Sequence, residues 1–121
     1  MTEKQRFIKA LKREKFEGHV PTFELVFYLT MEKIGKVHPT HRYYAQWNQM
    51  SAHEKEAQLR DIAFCYTEIA KLYHHSAIFV QGAPGDFDGL ARLLEIIRET
   101  TGDEYYLMLH GDPTMAIPTG D

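Results

Sequence analysis

The stretch from Ser76 to Met115 leaves the fewest choices of fold. It begins with a short apolar run, Ala77-Ile78-Phe79-Val80, and stops at Gly82-Ala83-Pro84-Gly85. Phe87, Leu90, Ala91, Leu94 and Ile97 then recur at the spacing of one helix face. Asp86 stands where an N-cap belongs, and Gly102 where a C′ glycine belongs. A second apolar run, Tyr105 to Leu109, ends at His110-Gly111-Asp112-Pro113. Strand, helix, strand with short connections is a βαβ unit, whose two strands are parallel neighbours. Runs apolar on both faces suit strands covered on both sides, as in α/β barrels and doubly wound sheets. The expected class is therefore α/β.

In both architectures chemistry sits beyond the C-terminal ends of the strands. Here those ends are Gln81-Gly82 and His110-Gly111-Asp112. Gln81, His110 and Asp112 are the candidate binding groups from this unit. Asp112 could equally cap the turn before Pro113, with His110 filling space. Glu24 is a fourth candidate, since Val20 to Leu25 reads as an earlier strand with Pro21 tolerated at its start. It is either a site residue or a surface charge. If all three strands are parallel, the four side chains share one rim.

The rest of the chain supplies helices. Thr2 to Glu14 is amphipathic, with Thr2 and Gln5 as a capping box and Phe7, Ile8 and Leu11 as its stripe. Its lysines and arginines read first as a solvated face, favourable at the helix end. Leu29 to Gly35 is a short helix closed by its glycine. Residues 36–50 are irregular and aromatic, which suits packing onto the scaffold or a lid. His38 and His41 lack a nearby Cys or carboxylate, and Pro39 between them opposes a regular helix, so no metal is placed there. Ser51 to His74 is the longest helix, with Ser51 and Glu54 as a second capping box. Leu59, Ile62, Ala63, Tyr66, Ile69, Ala70 and Tyr73 form its apolar face, and Cys65 beside them reads as a packing residue. His74 and His75 close it at the negative end of the dipole.

Residues 1–121 read as one domain without linker or repeat. A net charge of −3 with no long run of one sign does not suggest a nucleic-acid or membrane partner. A single cysteine and a charged N-terminus point to a reducing, cytoplasmic setting. The glycines of residues 82–89 match neither GxGxxG nor GxxxxGK[ST], and Asp86 and Asp88 would repel a phosphate, so no nucleotide is implied.

The order of elements, Arg6-Phe-Ile-Lys-Ala-Leu-Lys-Arg-Glu followed by Val20-Pro21, and His110-Gly111-Asp112 after a third strand, resemble the N-terminal part of uroporphyrinogen decarboxylase-like proteins. The similarity is spread over the whole chain and has no short diagnostic motif. It implies a TIM barrel and an activity that is either decarboxylation or corrinoid-linked methyl transfer. Two departures bear on the choice. Phe23 to Tyr28 has no arginine, where porphyrinogen decarboxylases carry arginines that hold substrate carboxylates. Gln81 stands where those enzymes place an aspartate. The methyltransferase-type branch fits better, with Glu24, Gln81, His110 and Asp112 positioning a substrate or a corrinoid-bound methyl group.

Members of that branch use zinc held by a late His and Cys set, and no such set occurs here, so this segment is expected to hold no cofactor. Corrinoid and zinc belong to a longer parent. A TIM barrel needs about 250 residues, so the chain is expected to be the first part of a longer enzyme and inactive alone. The implied partners are a small-molecule substrate or a corrinoid protein, and further copies of the chain. A decarboxylase for a tetrapyrrole-like or other carboxylate substrate is one alternative. A non-catalytic binding or assembly module is another.

Overall fold

Two four-residue strands form the centre of the fold, β1 (Ala77–Val80) and β2 (Tyr106–Leu109). They pair in parallel, Ala77 opposite Tyr106 and Val80 opposite Leu109. The computed structural model describes residues 1–24, 28–37, 46–81, 83–84 and 86–109. Earlier in the chain come α1 (Glu3–Leu11), α2 (Tyr28–Lys33), a 3-10 turn (Trp47–Gln49) and α3 (Ala52–Leu72). The crossover between the strands is α4 (Asp86–Thr101). The βαβ unit and its parallel pairing are thus as the sequence implies: a mixed helix–strand fold with a two-stranded parallel sheet among the described residues, compatible with the α/β class.

The core lies between one sheet face and the two long helices. Ile78 and Val80 join Leu59, Ile62, Tyr66 and Ile69 of α3 and Leu93, Ile96 and Ile97 of α4. Cys65 is fully enclosed among them, as a packing residue should be. Ser51 accepts from the Glu54 N–H, and the Glu54 carboxylate accepts from the Ser51 N–H, which completes the expected capping box. Trp47 packs against the same cluster from the preceding turn. Fully burying an aliphatic side chain contributes about 1.5–3 kcal/mol, so the fourteen buried residues of this cluster dominate the fold.

Several expectations need correction. The buried arc of α4 is centred on Leu93, Ile96 and Ile97, and Phe87 and Ala91 lie outside it. Phe87 is 79% exposed, because successive helical residues are about 100° apart and α3 meets the helix on the Leu93 side. Asp86 is the first residue of α4 rather than the residue before it. β2 is only half-buried and its last residue, Leu109, is exposed, so it is not covered on both sides. Residues 20–24 form no strand. Pro21 has no N–H to give, and among the described residues the backbone link from this segment to the start of β1 is the Ser76 N–H donating to the Thr22 carbonyl, at 2.7 Å. His75 does not serve the α3 dipole: it is buried, while His74 is exposed in a left-handed conformation.

α1 lies across the N-terminal ends of the strands. Thr2 and Gln5 make the expected capping box, and the helix stops at Leu11, short of Glu14, with Arg13 turning left-handed at φ 59°. Phe7 is buried, packing its ring on Phe23 and Tyr106. Tyr106 alternates with Leu107, which faces the core, so Phe7 covers the lower part of the opposite sheet face. Glu3 fixes the helix there. Its carboxylate accepts from Ser76 Oγ at 2.7 Å and from Arg6 Nη1 at 2.8 Å, and contacts His19 Nε2 at 3.0 Å. Lys4 adds an ion pair to Asp103.

Candidate functional site

α3 runs back along β1, since its Tyr66 hydroxyl accepts from the Gln81 N–H (3.4 Å) just past the strand's end. The residues of α3 before Tyr66 therefore extend beyond the C-terminal end of the sheet. α4 starts on that same side, directly after the loop that follows β1. The first turns of both helices and the turn at Trp47 enclose an open cavity of about 420 Å³. Its walls include Trp47, Asn48, Lys55, Glu56, Asp88 and Arg92.

Charge in this cavity is largely neutralised from within. Arg92 holds Glu56 through two bonds, Nε to Oε1 at 3.0 Å and Nη2 to Oε2 at 2.6 Å. These bonds push Glu56 below and Arg92 above their usual ranges. Arg92 also reaches Glu99 at 2.9 Å. Lys55 lies 5.7 Å from the centre of the Trp47 ring, a cation–π contact. The floor is set by Gly89, since a Cβ there would overlap the Pro84 carbonyl oxygen. The glycine in α4's first turn is thus used by the chain's own loop. Such a cavity can hold a small polar ligand through hydrogen bonds with the Asn48 amide and to the accepting Asp88 carboxylate, with an aromatic wall at Trp47.

Of the four residues singled out in the sequence, Gln81 lies on this side of the sheet. Its side-chain Oε1 is enclosed and has no hydrogen-bond partner among the described residues. An enclosed amide oxygen without a donor is costly, and it marks where a donor group would be accepted. Glu24 is at the other end. Its carboxylate accepts from Thr30 Oγ1 at 3.1 Å and lies 3.4 Å from His75 Nε2, before β1 begins. The four residues of β1, roughly 13 Å at about 3.3 Å each, separate it from Gln81. The shared rim expected for these two is therefore not formed. His110 and Asp112 lie outside the described residues.

Burial raises the Glu24 pKa, against the hydrogen bond from Thr30, and burial lowers that of His75. Both shifts oppose an ion pair, so the two groups meet as a long polar contact within the fold. Nothing in the sequence marked Glu24 for His75, because their pairing depends on how the 20–24 segment lies against the α3–β1 turn. Tyr66 and Arg92 were also missed as site residues. Tyr66 was read only as core, and Arg92 carried no signal beyond helical spacing. Among the described residues no three His, Cys, Asp or Glu side chains gather as a metal site. Among them, too, no helix is long and apolar enough to cross a membrane.

Comparison with family models, curated proteins and solved structures finds no match.

Proposed function

We propose that this chain is the N-terminal segment of a uroporphyrinogen decarboxylase-like (β/α)8 barrel, of the type that handles a corrinoid-bound methyl group. One observation carries the reading. Chain segments that follow one another in sequence lie side by side in the same order, with residue Thr22 bonded at Ser76, β1 beside β2, and α4 crossing over between them. A barrel of this class is assembled by repeating that step. The C-terminal strand side, on which Gln81 and the cavity both lie, is then one sector of the substrate pocket. Gln81 would position a polar group of the methyl acceptor, and the missing arginines in residues 23–28 leave no cationic clamp for a polycarboxylate. In the same reading the protein is cytoplasmic, and the outer edge of β2, which has no strand partner among the described residues, receives the next strand of the barrel.

The test is made on the intact polypeptide that the gene encodes. A His and Cys set late in its sequence is expected. With methylcobalamin and a thiol, that polypeptide should form cob(I)alamin and a thioether, read by the corrinoid spectrum. Gln81→Ala should lower kcat/KM by about tenfold, the effect of one lost polar contact of about 1.4 kcal/mol. A polypeptide that lacks the late set and leaves methylcobalamin unchanged, or one that releases carbon dioxide from a carboxylate substrate instead, would defeat the methyl-transfer reading.

A further inference from the structure

The cations of this protein are not evenly spent. Among the described residues, each lysine or arginine outside residues 9–15 has a partner. Lys4 and Arg98 meet Asp103, Arg6 meets Glu3, Lys36 meets Asp61, Arg60 and Arg92 meet Glu56, and Lys71 meets Glu68. Lys33 and Lys55 lie over the rings of Tyr73 and Trp47. Lys9, Lys12, Arg13 and Lys15 have no partner among the described residues. All four project from one place, the end of α1 and the chain just after it, in a protein whose net charge is −3.

The same place is concave, with apolar side chains set among the charged ones. One groove of about 400 Å³ has Met1 and Ile8 in its walls beside Lys9 and Lys12. A second, of about 520 Å³, shares Met1 and Lys9 and adds Lys15 and Phe16. Met1 and Leu11 are more than half exposed. The inner face of α1 is already spent on the sheet through Phe7, so this outer face plays no part in the core.

We propose that the outer face of α1 docks an acidic amphipathic helix of another polypeptide. Lys9 and Lys12 are three residues apart, about 5–6 Å on a helix, the spacing of two carboxylates one turn apart on a facing helix. Lys15, past the end of the helix, stands with Lys9 in the wall of the second groove. An apolar side chain between the acids fills the grooves against Met1, Ile8 and Phe16. Glu14 and Glu17 belong to the same groove walls. They oppose an anionic bilayer, whereas a peptide can meet them with a lysine or free backbone N–H. Concave grooves also favour inserted side chains over a flat lipid surface.

The experiment uses the whole chain and a labelled synthetic helix carrying glutamates at one-turn spacing around leucines, followed by fluorescence anisotropy. A control helix keeps the glutamates and replaces the leucines with serine. Binding should weaken with salt, and should fall about tenfold both for the control helix and for the Lys9→Gln/Lys12→Gln/Lys15→Gln protein. Lys71→Gln, which alters a paired cation on α3, should leave it unchanged, and circular dichroism should show all variants folded. Equal binding of both helices would overturn the proposal and leave a solvated basic face. Tighter binding to phosphatidylserine vesicles than to the leucine helix would overturn it in favour of lipid. Self-association that the triple substitution abolishes would overturn it in favour of a second copy of the chain.

Discussion

Removing the Glu3 carboxylate takes the acceptor from a hydroxyl that has no access to water. Ser76 is 0% exposed, and its Oγ donates to Glu3 Oε1 at 2.7 Å. A hydrogen bond to a charged group contributes about 1.5–3 kcal/mol, and a buried donor left alone costs a similar amount. The Arg6 pair on the other oxygen is a local i,i+3 contact and adds at most about 1 kcal/mol. Glu3→Ala is therefore expected to lose about 2–3 kcal/mol in urea unfolding. Ser76→Ala, which removes the donor and strands no buried group, should lose less. In the double variant the two losses should not add, leaving a coupling of about 1.5 kcal/mol. The same bond predicts a pH dependence. Burial pushes Glu3 upward, but bonds from Ser76, His19 and Arg6 outweigh it and hold the carboxyl below its usual 4.5. A lowered carboxyl pKa gives stability that is present above pH 4.5 and lost as pH falls through the folded value. Glu3→Ala should flatten that acid limb. A coupling below about 0.5 kcal/mol, or an unchanged acid limb, would refute the view that α1 is fastened to the sheet through this bond.

Gly89→Ala should lose about 1–3 kcal/mol in the same assay, because its Cβ meets the Pro84 carbonyl and the loop after β1 must shift. A gain of about 1 kcal/mol, the ordinary Gly-to-Ala effect in a helix, would show that the loop yields freely. Burial holds His75 below its usual 6.5, so its contribution is full above pH 6.5 and is lost as pH falls toward the folded value, whereas the raised Glu24 contributes with the opposite sign as pH rises from 4.5. His75→Gln should therefore reduce the loss of urea stability on acidification just below pH 6.5, and an identical pH profile would contradict a buried neutral imidazole.

Most elements of this protein follow from local chemistry. Thr2 with Gln5 and Ser51 with Glu54 start helices wherever the chain goes afterwards, because each side chain satisfies a backbone N–H within its own turn. Gly35 and Gly102 end helices for an equally local reason, the left-handed backbone at φ 77° and 62°. Two apolar runs joined by a helix can pair only in parallel, so the sheet was legible too. What the sequence could not decide is which groups meet across elements. The helical period placed an apolar arc on α4 but not its centre, and the packing of α3 rotated that centre to Leu93 and left Phe87 outside. A strand needs a continuous ladder, and among the described residues the 20–24 segment meets the start of β1 through the Thr22 carbonyl alone, so its apolar pattern did not become a strand. Glu24 was drawn to the Gln81 rim by its place in that expected strand. Its carboxylate instead sits by His75, because desolvation and distance are properties of the folded chain alone. The unpartnered lysines of α1 were visible as letters. Only the tertiary structure, by pairing every other described cation, set them apart.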